Sequence, residues 1–162
     1  MKSVLYGVLF GMLATAPVAA QDTPTPSANV PADAVAEAVQ TLQILDATGI
    51  DPDDFLWDRR IVAVLAASPR DPAFIRQMED IRAQQADLLE RDVVVLFDAD
   101  RNSGSLLRQM LRPRGFMLAI IEKDGQIKQR RPSPRDVREI SAAIDHFPLR
   151  RQEFLERNPA GR

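Results

Sequence analysis

The chain has 162 residues, 45% hydrophobic and 27% charged, with a formal net charge of −2. That length suits one domain with a removable leader and a linker, and the slightly acidic balance argues against a generic nucleic-acid binder. No cysteine occurs, which excludes thiol redox catalysis, disulfide bridges, thiolate metal sites and an acylated lipoprotein cysteine together.

Lys2, the apolar stretch Val4 to Ala16, and Val18-Ala19-Ala20 ahead of Gln21 match the charged, apolar and small-residue regions of a secretory signal peptide. Cleavage is expected after Ala20, placing the protein in the periplasm or outside the cell. About thirteen apolar residues fall short of the roughly twenty that span a bilayer, so no stable membrane insertion is expected after cleavage. Residues 21–32 are rich in Pro, Thr and Ser and predict a disordered linker. Residues 33–55 predict an accessory helix and a turn. Asp33 stands as N-cap, Val35, Ala38, Leu42 and Leu45 recur at helical spacing, and Asp51-Pro52-Asp53-Asp54 follows as a turn.

The main domain is expected over 56–153. Ile61 to Ala67 is an unbroken apolar run, as in a strand covered on both faces. Asp71 and Pro72 then read as N-cap and first residue of a helix extending to about Glu90. Val93 to Phe97 is a second interior strand, parallel to the first. Leu106, Leu107, Met110 and Leu111 make a short helix stopped by Pro113. Phe116 to Ile121 and Ile127 to Arg130 pair as a hairpin across Asp124-Gly125. Ser133, Pro134 and Asp136 read as N-cap, first residue and first-turn acid of a last helix striped by Val137, Ile140 and Ile144. A C-terminal tail is expected over 154–162.

The resulting order, β-α-β-α-β-β-α in a mixed, mostly parallel sheet with flanking helices after an accessory N-terminal helix, predicts an α/β, thioredoxin-like fold. Trp57-Asp58-Arg59-Arg60, Gln77, Glu90-Arg91-Asp92, Gly115-Phe116, Lys123-Asp124-Gly125 with Lys128, and the run from Ile144 to Glu153 resemble the domain-of-unknown-function 4174 family. Pro-Leu-Arg-Arg-Gln-Glu at 148–153 is the most specific part, since neither packing nor turn chemistry demands it. The resemblance implies a thioredoxin or peroxiredoxin relative, known mostly from secreted bacterial proteins and animal matrix proteins, with no activity to carry over. Ser68-Pro69-Arg70-Asp71 stands where a working thioredoxin has its cysteine pair, and Phe116-Met117 where it has a cis-proline.

Candidate sites follow from local chemistry. Ser68, Arg70 and Asp71 at a helix start are a candidate binding turn for an anion or peptide, although Asp71 as a cap competes with an incoming anion. Asp98 to Gly104 superficially matches a calcium loop. Its glycine comes one place late and Gln109 stands where a bidentate Glu is needed, so a polar loop capping the next helix is the better reading. The acids Asp51, Asp53, Asp54 and Asp58 read as turn formers, and His146, the only histidine, as structural. Arg112, Arg114, Arg130, Arg131, Arg135 and Arg138 are either scattered solvated charges or a positive patch for an acidic partner or polyanion. Arg150, Arg151 and Glu153 form a candidate tail motif, either an arginine clamp onto an acid such as Asp145 or Glu90, or a partner motif. No catalytic residue, cofactor or metal site is indicated. The expected function is redox-inactive binding in the cell envelope, to a protein or a small anionic ligand. The alternative is a thiol-independent enzyme.

Overall fold

The computed structural model describes residues 41–158. The expected signal peptide, the linker and most of the accessory helix lie outside the described residues. Strands β1 (Ile44–Asp46), β2 (Arg60–Leu65), β3 (Val93–Asp98), β4 (Met117–Ile121) and β5 (Ile127–Arg131) form one sheet in the order β1-β3-β2-β4-β5. β1 and β2 both pair with β3 in parallel, while β4 runs antiparallel to its neighbours β2 and β5. Four of the five strands therefore point the same way. The helices are α1 (Pro72–Ala83), α2 (Gln85–Leu89), α3 (Leu106–Leu111), α4 (Val137–Asp145) and α5 (Pro148–Arg157). This is the thioredoxin-like arrangement expected from the sequence.

Every residue of β2 is buried, as an apolar run without alternation requires of a strand covered on both faces. Alternate side chains divide between two cores. Val62, Val64, Val93, Val95, Leu118 and Ile120 pack against α1, α2 and α4 through Met78, Ile81, Leu88, Ile140 and Ile144. Ile61, Ala63, Leu65, Val94, Leu96 and Ala119 pack against Leu107 and Leu111 of α3, with Ile50 and Phe55 beside them.

Several sequence-based expectations are corrected. Leu42 and Leu45 are not helical: Leu42 is buried in the core and Leu45 lies in β1, paired with Leu96. This segment completes the sheet because β3 otherwise presents an unpaired edge. The sheet domain thus begins before residue 56, and the turn at Asp51 is a single 3-10 turn, Pro52–Phe55, capped by the Asp51 carboxylate. The helix expected over 72–90 is interrupted at Gln84, whose φ of −125° leaves the helical region. The last sheet-packed helix is capped by Asp136, which accepts from Arg138 N, rather than by Ser133. Residues 148–157, which include the first part of the tail expected over 154–162, form α5.

Candidate functional site

The two ends of the sheet carry different charge arrangements. At the end where β2 and β3 begin and β4 finishes, Arg60 enters the sheet fully buried. Its Nε lies 2.5 Å from Glu122 Oε1, with both side chains wholly buried. The N–H is not aligned on that oxygen, and Glu122 Oε2 receives no donor. Arg60 Nη1 donates to Arg91 O at 3.0 Å and Nη2 to Glu153 Oε1 at 3.0 Å. Lys123 Nζ joins Glu153 to Asp92 at 3.1 and 3.0 Å, and Arg157 reaches Asp92 at 3.0 Å. Beside them Arg91 makes a two-pronged contact with Asp145, at 2.9 and 2.7 Å. Arg150 reaches Asp145 at 3.5 Å and Glu90 at 3.7 Å.

These contacts hold α5 across the base of the sheet. Its only buried residue is an arginine, Arg150, so charge rather than apolar burial docks it. The titration behaviour agrees. Burial acts to raise the Asp92 and Asp145 carboxyls, but the hydrogen bonds and charges of Lys123 and Arg157 on the first, and of Arg91 and Arg150 on the second, hold both below the ordinary value. Asp145 in turn raises the Arg91 guanidinium.

At the opposite end β2 finishes beside the start of β4, Leu65 pairing with Met117. Asp98, at the end of β3, accepts from Ser103 Oγ, Ser105 Oγ and Arg108 Nε on its Oδ2, and from Arg108 Nη2 and Asp100 N on its Oδ1. Arg108 Nη2 also donates to Ala66 O at 2.6 Å, fixing the carbonyl that leads into the Ser68 turn. Burial would raise the Asp98 carboxyl, but these donors outweigh it and lower it to about 2. Asp98 is therefore committed to holding the loop, with Ser105 as N-cap of α3. Among the described residues no group of three or more His, Asp or Glu is gathered to hold a metal ion.

The predicted turn is self-satisfied. Asp71 accepts from Ala73 N at 2.9 Å as the cap of α1, and Ser68 Oγ accepts from Arg70 N at 3.2 Å, leaving Arg70 exposed. His146 caps the end of α4 and its Nδ1–H donates to Ala142 O at 2.6 Å. Of the scattered arginines, Arg112, Arg114 and Arg130 come together around one open groove of about 560 Å³. Arg131 and Arg135 line a separate hollow against α4. In the tail motif, Arg150 and Glu153 form the clamp while Arg151 stays exposed.

A sheet in thioredoxin order, helices on both faces and a serine-proline turn in a chain without thiols define a cysteine-free thioredoxin-like domain. The chain belongs to the family described as Domain of unknown function (DUF4174), which matches residues 51–153. Solved structures similar in fold include thioredoxin peroxidase I of Plasmodium yoelii, 14% identical, with a TM-score of 0.44 over 67% of this chain and 80% of that one. The mitochondrial 2-Cys peroxiredoxin from Plasmodium falciparum is 18% identical, with a TM-score of 0.45 over 65% of this chain and 88% of that one. Comparison with curated proteins found no match.

Several of the residues quoted for the family resemblance belong to the charge network: Arg60, Glu90 to Asp92, Lys123, Asp145, Arg150 and Glu153. Gln77 belongs to the same scaffold. Its amide donates to Arg135 O at 2.9 Å and accepts from Arg135 N at 2.7 Å, tying α1 to the start of α4. Glu122 and the pairing of Asp98 with Arg108 escape sequence reasoning. For the two acids the available signal is positional, an ionisable residue placed directly after an unbroken apolar run.

Proposed function

We propose that this chain is an exported, redox-inactive thioredoxin-like domain that works by binding in the cell envelope, at the end of the sheet where β2 and β3 finish. The leader-like residues 1–20 and the absence of cysteine support export and exclude thiol chemistry. The observation that carries the choice of surface is the contrast between the sheet ends. At the α5 end Arg60, Arg91, Lys123, Arg150 and Arg157 are bound to carboxylates within the fold and Arg151 is exposed, whereas the cations gathered at one groove of the other end, Arg112, Arg114 and Arg130, and Arg70 of the nearby turn have no carboxylate partner among the described residues. Unpaired guanidiniums are free to bind an external partner with carboxylate groups.

The test is site-specific photo-crosslinking of the full chain expressed in its own cell. A photoreactive phenylalanine analogue at position 70 is expected to trap a partner, and the same group at position 151 is not. Crosslinking confined to position 151 sinks the choice of surface. N-terminal sequencing of the exported protein is expected to start at Gln21, and a soluble cytoplasmic form retaining Met1 sinks the localisation.

A further inference from the structure

We infer that the groove between the α3–β4 connection and the end of β5 takes an extended acidic peptide segment of a partner protein, with carboxylates on either side of an apolar side chain. This deepens the binding reading above and rests on it. Arg112, Arg114 and Arg130 line the groove, and Phe116, Met117 and Pro132 contribute its accessible apolar surface. The groove is open and holds about 560 Å³, room for a short stretch of extended chain rather than a single ion.

Its charge is built in. Arg112 closes α3 in the left-handed region, at φ 49° and ψ 58°, a conformation uncommon outside glycine. The chain there turns out of the helix into Pro113 and Arg114, at the mouth of the groove. Arg130 is set from the facing side by β5, where it pairs with Ala119 of β4. Among the described residues its guanidinium makes one long contact, 3.5 Å, to Leu111 O. Three like charges around one concavity repel one another, and carboxylates presented in fork geometry relieve that repulsion.

The apolar lining decides among anions. A polyphosphate has nothing to place against Phe116 and Met117, and a bilayer surface does not enter a concave site. A peptide supplies both chemistries. The chain as a whole is slightly acidic, at −2, so attraction at this site reflects local placement rather than general basicity.

The experiment selects a random peptide library, displayed on phage, on the full immobilised chain, and then measures fluorescence anisotropy with the best labelled peptide. Enrichment of Asp and Glu around an apolar residue is expected. Replacing the acids of that peptide by their amides should weaken binding about tenfold or more, as should the double variant R114E/R130E, a loss of about 1.4 kcal/mol. Arg151→Glu should leave binding unchanged. Both variants change exposed side chains, and circular dichroism checks that they remain folded. R114Q/R130Q, which removes the charge without reversing it, should show the same loss. Selection without acidic enrichment, indifference to R114E/R130E, or tighter binding of inorganic polyphosphate or phosphatidylglycerol vesicles overturns the inference. Should crosslinking at position 70 succeed while the peptides fail, the binding reading stands and the ligand class falls. Crosslinking only at position 151 removes the reading itself.

Discussion

Arg60→Met tests whether the charge network at the base of the sheet is structural. Arg60 and Glu122 are both wholly buried, 2.5 Å apart. Removing the guanidinium leaves the Glu122 carboxylate in the interior with, among the described residues, the backbone N–H of Lys123 at 3.3 Å as its one donor. It also strips Glu153 and Arg91 O of their shared donor. Breaking a buried pair on one side costs about 3–5 kcal/mol. With a urea dependence of about 1–3 kcal/mol per M, the unfolding midpoint should fall by roughly 2 M. The double variant Arg60→Met, Glu122→Leu removes both charges and should recover much of the loss, because the uncompensated carboxylate, rather than the missing attraction, carries most of the cost. Unfolding is best followed by far-ultraviolet circular dichroism, since Trp57, the only tryptophan, is 71% exposed and would report weakly. A loss under about 1 kcal/mol for Arg60→Met, the range of exposed pairs, would refute the argument.

Asp98→Asn should destabilise the fold by about 2 kcal/mol at neutral pH, from a carboxyl that moves from 3.8 to about 2 on folding. Because the folded value is depressed, that contribution is present above 3.8 and is lost as pH falls through about 2, so wild type and variant should converge over that window in acid unfolding curves. Glu153→Gln takes the shared carboxylate from Arg60 and Lys123. Amide hydrogen exchange should accelerate across Pro148–Arg157 while the sheet stays protected, and equal acceleration in β2 would contradict local release of α5. Gly125→Ala should cost about 1 kcal/mol in thermal unfolding. Gly125 sits at φ +76°, where a side chain is strained, and the added carbon meets the flexible end of Leu56 at 2.9 Å.

The interior strands and the turns between them were legible because their causes are local. An unbroken run such as Ile61 to Ala67 has to be covered on both faces wherever it sits. Asp71-Pro72 starts a helix through its own carboxylate, and Asp124-Gly125 turns the chain through a left-handed glycine. The thioredoxin-like order followed from placing these elements in sequence. Leu42 to Asp46 has apolar spacing compatible with a helix, and only the open edge of β3 makes Ile44–Asp46 a strand. Helix α5 could not be seen by apolar periodicity at all, since the side chain it buries is Arg150.

Sequence alone therefore determined the absence of thiol chemistry, the fold class and the buried strands, each a property of residues or of short neighbouring runs. Tertiary structure alone decided which charges are bound and which are free. Arg60 meets Glu153 across 93 positions, and Arg91 meets Asp145 across 54. Whether a guanidinium is spent inside the fold or left at a groove rim depends on such distant pairings, because an ion pair is set by separation in space, and the chain brings its partners together only when the sheet is complete.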